Sequence, residues 1–313
     1  MRYKKCPLLL RTFFERNGME KRKTGIKNVA PYAYITPITL ILVTFVIGSV
    51  IISVVLGFTK YNIMTEPVFS GLDNYKRLLT DSKFIKALKN TLELIVIIVP
   101  LQTVSGILVS SFLVANRKKV LGKLANCIVF IPVLCADAVA GVVWREFLNG
   151  KLPVVEHFFG LFGIEPSMLL GDAKKALIVV GLVAVWKYMG YYVVIYSSGL
   201  LSISDTYYEA AKVDGAGRIR CFFSITLPML KPTIILAVFL SLTNSLRCFD
   251  LIFNLTGGGP NNATTTLVLY AYSSCFGSSK AGYAMAISNM LFLVVLLIAL
   301  MQRTLMRRDV SEL

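Results

Sequence analysis

The sequence predicts an all-α integral membrane protein, multi-pass, with six transmembrane helices and both termini cytoplasmic. Three observations predict it. Of 313 residues, 56% are hydrophobic and only 16% charged, a balance outside that of soluble globular chains. Six apolar stretches reach the ~20 residues that an α-helix needs to cross roughly 30 Å of hydrocarbon at about 1.5 Å per residue. Lys and Arg divide unevenly between the two sets of connecting loops, and that bias sets orientation.

The chain opens on a basic tail, residues 1–36, carrying nine Lys and Arg around the short run Leu8-Leu9-Leu10. That run is too short for the apolar core of a signal peptide, so the tail is expected to stay uncleaved in the cytoplasm. A transmembrane domain over 37–303 follows. Its spans run approximately Ile38 to Phe58, Leu94 to Ala115, Leu124 to Trp144, Ala176 to Leu201, Pro232 to Phe253 and Ala281 to Met301, and a short cytoplasmic tail, 304–313, closes the chain. The first, second and last spans hold no charged side chain. With this division, 20 of the 33 basic residues fall on the side of the two tails and 11 on the other, with Lys187 and Arg247 inside spans. The net charge of +16 is therefore mainly topological, and no soluble basic domain is left for a nucleic-acid role. The six cysteines lack C-x-x-C spacing and the single His157 has no carboxylate cluster around it, so neither a disulfide framework nor a metal centre is indicated. Cysteines packing as small hydrophobes is the simpler account.

The loop at 202–228 is the most specific segment. Ser204 or Asp205 can cap a short helix through Tyr207 to Lys212, and Gly215 can end it by taking the left-handed conformation. A second helix is expected around Arg218 to Phe223, leading into span five at Leu227-Pro228. The patterned residues are Glu209-Ala210-Ala211, Gly215, Ile225 and Leu227-Pro228, spaced EAA-x3-G-x9-I-x-L-P, and Asp214 beside the glycine is a further candidate. The tripeptide alone would fit any solvated amphipathic loop. All positions together, between two spans and on the side the charge bias assigns to the cytoplasm, fit a short helix that docks on a motor elsewhere. Glu209 can pair with a basic group there, and Ala210 and Ala211 keep the contact small.

This pattern resembles the cytoplasmic coupling loop of permease subunits of binding-protein-dependent ABC importers. From about residue 30 to 308 the chain is similar to the carbohydrate-type branch, the maltose and glycerol-phosphate uptake permeases. The carrying residues are Gly71-Leu72-Asp73-Asn74-Tyr75, Trp186-Lys187 with Gly190, Gly199 to Ile203, Phe249-Asp250, Thr256-Gly257-Gly258-Gly259-Pro260 and Thr264 to Tyr272. The resemblance implies a type I ABC importer permease fold and a sugar or oligosaccharide as solute. It implies as partners a second permease subunit, two ATP-binding subunits, an extracellular solute-binding protein and membrane lipid. It also implies that this chain is no enzyme and holds no cofactor, ATP and Mg being bound by the partner ATPase. Asp137 in the third span departs from the pattern. The chain has no G-x-x-x-x-G-K-[ST] string, so Gly257, Gly258, Gly259 and Pro260 read either as a flexible outer turn or as a contact for the binding protein.

Ionisable residues at membrane depth are costly and mark candidate pathways. Asp137, Lys187, Arg247 and Asp250 qualify as lining of the substrate path or an outer gate. Lys187 stands about 14 residues, roughly 21 Å, from the cytoplasmic end of span four, close enough to the outer surface for its stem to snorkel instead. Arg247 and Asp250 are spaced to share a helix face and pair there. Sugar hydroxyls suit amides and aromatics as well, which adds Asn244, Asn254, Tyr188 and Asn289. Pro100 and Pro132 can kink their spans, though transmembrane helices tolerate proline. Two other function classes compete. A gradient-driven secondary transporter or channel commonly carries carboxylates near the midplane, and a membrane enzyme needs a catalytic constellation. Neither accounts for the loop at Glu209.

Overall fold

The computed structural model describes residues 30–149, 153–161, 163 and 165–310. Most of the expected basic tail, residues 1–29, lies outside them. Of the described residues, 30–53 form one unit and those from 54 on another. Among the described residues, four helices are long and apolar enough to span without interruption: Tyr34–Gly57, Ser82–Ala115, Ala173–Leu201 and Ala281–Thr304. These are spans one, two, four and six. The last helix continues to Val310. Pro100 sits inside span two without breaking it.

Spans three and five are not the single rods that their hydropathy suggested. Span three is a pair, Val120–Leu134 and Asp137–Leu148, bent by 101°. Pro132 removes a backbone donor from the last turn of the first half, and Cys135 and Ala136 are extended, at ψ 149° and 146°. Span five is likewise a pair, Arg218–Met229 and Lys231–Leu246, bent by 68°. It ends earlier than Phe253, because the N–H of Arg247 turns back to the carbonyls of Asn244 and Ser245. A separate short helix, Asp250–Leu255, follows. Arg247 therefore lies outside a helix and Asp250 begins the next, so the expected shared helix face does not exist and no ion pair joins them among the described residues.

Broken backbone at membrane depth is tolerated only where protein or a cavity covers it. Here the second half of span three packs against Asp250–Leu255 almost backbone to backbone. A Cβ on Gly141 would stand 2.9 Å from the Leu251 carbonyl oxygen. Leu251, Ile252 and Leu255 then join Ala140, Leu94, Val180 and Ala184 in one buried cluster. Span four is the axis of this packing. Half of its apolar window is buried, against 33% of span two and 17% of span six. A second cluster joins Leu78, Phe84 and Ala87 to Leu267, Ala271 and Ile287. Beside it a small antiparallel ribbon pairs Thr59–Lys60 with Val68–Phe69, and Asn74 donates to the carbonyls of Gly57 and Thr59, each at 2.9 Å.

Spans three and four approach closely at Gly190, where a Cβ would meet the Val129 carbonyl oxygen at 2.7 Å and Val133 Cγ2 at 2.9 Å. Small residues allow such crossings, and in lipid this packing substitutes for the hydrophobic drive that water provides. Gly190→Leu is expected to force the two helices apart at a cost of about 1–3 kcal/mol. Gly160→Ala, where the added atom meets nothing within 4 Å, is expected to be neutral. Thermal unfolding in detergent, followed by fluorescence-detected gel filtration, checks both.

Candidate functional site

The loop between spans four and five folds as its residues dictate. Ser204 Oγ accepts the N–H of Thr206 at 3.3 Å and caps the helix Asp205–Val213. Asp205 in the first turn and Lys212 in the last complement the helix dipole. Gly215 takes φ +75°. Its N–H donates to the Lys212 carbonyl at 3.1 Å, and the Ala216 N–H reaches the Ala211 carbonyl at 2.8 Å, the paired bonds of a Schellman termination. A short helix, Arg218–Cys221, then passes through a wide turn at Phe222–Thr226 into Leu227–Met229.

Two surfaces result. Inward, the Tyr208 and Thr226 hydroxyls meet at 3.0 Å, and Tyr208, Phe222 and Leu227 pack on Ile203, Leu200 and Leu230. Ala211 and Ile225 are half-buried on this side, and Pro228 is exposed. Outward, Glu209, Ala210 and Asp214 are exposed, among large apolar side chains with no cover: Val213 is 88% exposed and Ile219 77%, with Tyr207 and Phe223 beside them. Glu209 has no ion pair among the described residues. The apolar members of this face escape a search for the motif. The signal for them is large hydrophobes in a loop that lies between spans.

A second site forms where span three breaks. Lys187 is 3% exposed and its Nζ stands 3.2 Å from Asp137 Oδ1. The same ammonium is 3.4 Å from the Val133 carbonyl oxygen, which the break leaves free. The Tyr188 hydroxyl donates to the other Asp137 oxygen. Lys187 therefore does not snorkel: it is drawn inward by a carboxylate 50 positions earlier in the chain. Nearby, Asn244 Nδ2 donates to the Tyr192 hydroxyl at 3.1 Å, and both line a small cavity with Tyr188, Ser245 and Gln102, closed by Ile98, Ala184 and Cys248. Gln102 is 1% exposed and neither end of its amide has a hydrogen-bond partner among the described residues, an unusual cost for a buried amide. Sequence reasoning passed over Gln102 and Tyr192. Arg247 and Asp250 lie apart from this cavity and are exposed, and Asn254 donates to the Asp250 carbonyl at 2.7 Å.

The glycine-rich segment sits in a network of hydrogen bonds. Gly257 and Gly258 take φ +60° and +90°, the Gly259–Pro260 peptide is cis, and Asn261 and Asn262 also have positive φ. Span two holds the loop from outside. Lys86 Nζ donates to the Asn261 carbonyl at 2.6 Å, and Asn90 Nδ2 donates to those of Asn262 and Thr265, each at 2.9 Å. Gly258 is buried, while Gly257 is exposed and Gly259 and Pro260 are half-exposed. Asp81, just before span two, ties the following helix into the same assembly through the hydroxyls of Tyr270 and Tyr283, each at 2.6 Å. Partial burial works to raise its pKa, but these bonds and the N–H groups of Lys83 and Phe84 outweigh it and hold the carboxyl below its ordinary range. Asn289, a weaker candidate, donates to the Tyr75 hydroxyl at 3.1 Å.

Comparison with known proteins follows the same outline. Residues 88–308 match the family model described as "Binding-protein-dependent transport system inner membrane component". A multiple sugar-binding transport system permease protein of Streptococcus mutans is 35% identical over 254 residues, covering 80% of this chain and 86% of that one. A trehalose/maltose transport system permease protein of Thermococcus litoralis is 31% identical over 267 residues, covering 85% and 89%. Among solved structures, a chain of a bacterial alginate ABC transporter in complex with an alginate pentasaccharide-bound periplasmic protein superposes with a TM-score of 0.79. It is 26% identical, covering 91% of this chain and 96% of that one.

Breaking a buried ion pair from one side leaves an uncompensated charge, at a cost of about 3–5 kcal/mol. Asp137→Leu leaves the buried Lys187 with only the Val133 carbonyl and the face of the Tyr188 ring, 5.3 Å away, and is expected to destabilise the chain more than Lys187→Met, which leaves Asp137 its bond from Tyr188. The double variant is expected to recover most of the loss. Thermal unfolding of the two single variants and the double variant in detergent reads the coupling directly.

Proposed function

The chain belongs to the binding-protein-dependent transport system inner membrane components, the permeases of ABC importers, and from that premise we propose that it forms one half of an ATP-driven pathway for a sugar or oligosaccharide. The other half is a second permease subunit, and two separate ATP-binding subunits hold the ATP and Mg. An extracellular solute-binding protein delivers the solute. Both termini and the coupling loop, 202–228, face the cytoplasm within the domain division 1–36, 37–303 and 304–313. The names of the sugar permeases and of the alginate transporter support the solute class, and the periplasmic protein in that transporter's complex supports the delivery step.

One observation carries the reading: a capped helix with an exposed, partly apolar outer face is fixed by its inner face to the foot of span five. Such a helix transmits displacement. An ATPase that seats Val213, Ile219 and Phe223 in a groove and pairs a cation with Glu209 moves the helix as a body, since the Schellman bonds at Gly215 hold its end. The Tyr208–Thr226 contact and the cluster around Leu230 pass that motion to the 68° bend and so to Lys231–Leu246. Asn244 and Arg247 ride on the far end of that helix. The hydroxyl-binding groups of the solute path are then Tyr188, Asn244 and Gln102, which line the small cavity beside it, and the neighbouring Asp137–Lys187 pair, with Arg247, Asp250 and Asn254 as the outer rim of the path. Gly257, Gly259 and Pro260, rigidly presented around the buried Gly258, form the contact for the binding protein.

Glu209→Lys reverses the docking charge, and Gly215→Val places a β-branched residue at φ +75°, a conformation costing roughly 1–2 kcal/mol for an L-residue. Each is expected to reduce ATP-coupled sugar uptake by tenfold or more while the chain remains inserted and assembled with the second permease. Uptake of a labelled sugar by cells expressing either variant, normalised to the chain in the membrane, is the measurement. Undiminished uptake by a stably inserted double variant would overturn the assigned role of the loop.

A further inference from the structure

Behind the coupling helix, between it and the ends of spans two and four, the fold leaves a void of about 500 Å³. Its lining is of two kinds. Val114, Leu200, Leu201 and Phe222 supply apolar walls continuous with the spans, and Arg117, Lys212 and Arg218 supply three cations. Asp205 also lines the void, but none of the three cations forms an ion pair with it or with any other described acid. Three cations against one carboxylate leave the void two positive charges in excess, at the level where a spanning helix meets its loop.

We propose that this void is a binding site for an anionic phospholipid, its phosphate held by Arg117, Lys212 and Arg218 and its acyl chains laid along Val114 and Leu201. Guanidinium groups hold phosphate oxygens in paired, charge-assisted bonds, and basic pockets at the ends of transmembrane helices suit phospholipid headgroups. A soluble phosphate would use the cations but not the apolar walls. The position gives the lipid a consequence. Tyr208, whose hydroxyl joins the coupling helix to Thr226, and Lys212 both line the void and lie on that helix. A bound lipid therefore braces the helix from behind while its outer face stays free. The site stands on this chain's geometry alone, so its failure would leave the importer reading untouched.

The test is native mass spectrometry of the delipidated chain with phosphatidylglycerol added back. One tightly retained phosphatidylglycerol per chain is expected, with affinity reduced tenfold or more in Arg117→Gln/Arg218→Gln. The variant Lys118→Gln/Lys119→Gln, which removes two neighbouring charges that do not line the void, is expected to bind as the parent does. Equal binding by the Arg117/Arg218 variant would overturn the proposal. So would full displacement of the lipid by inorganic phosphate at comparable concentration, which would assign the cations to a soluble anion. If the double variant is not monodisperse on gel filtration, Lys212→Gln alone makes the same comparison.

Discussion

A lysine ammonium that is 3% exposed inside an apolar bundle has to be neutralised at close range, and much of this fold is arranged around that requirement at Lys187. Asp137 can reach it only because span three stops at Leu134 and restarts at Asp137. The break that delivers the carboxylate also frees the Val133 carbonyl, and the same ammonium lies within 3.4 Å of it. Charge and broken backbone are therefore satisfied together, the condition under which irregular backbone persists at membrane depth. The turned half of the span then supplies the surface on which Asp250–Leu255 packs through Gly141. The polar groups around the resulting cavity stand on spans two, four and five.

The loop at 202–228 obeys a different logic, because its boundaries are set locally. A serine cap, an acidic first turn and a glycine with positive φ fix where the helix begins and ends. Tertiary packing stabilises it and decides how it is oriented. Tyr208 and Phe222 bind it to the foot of span five, which leaves Glu209, Val213 and Ile219 outward. A rigid helix with one bound and one free face can pass force without chemistry of its own, in keeping with the proposal that hydrolysis belongs to a partner subunit.

What the sequence could reveal follows this division. The spans were legible because hydropathy over 20 residues is a sum, and the helix at Glu209 because capping rules act within a few positions. The bends in spans three and five were not, since a sum of hydropathies carries no direction and Pro132 by itself is compatible with a continuous helix. Arg247 and Asp250 were misplaced onto one helix face for the same reason: spacing implies a face only where the helix continues. The Lys187–Asp137 pair spans 50 positions and depends on the break, so snorkelling was the natural local reading of the lysine. The bonds to Asn261 and Asn262, just after Gly257 to Pro260, come from Lys86 and Asn90, more than 170 positions away, and no local pattern in the glycine-rich segment announces them.

The central claim is that the outward face of the Asp205–Val213 helix is the seat of a separate ATP-driven motor. A photo-crosslinker placed at Val213 in the native membrane tests it most directly. The account predicts a single major adduct, with a P-loop ATPase subunit, whose yield changes when ATP is trapped. Absence of any such adduct in cells whose uptake is intact would contradict it.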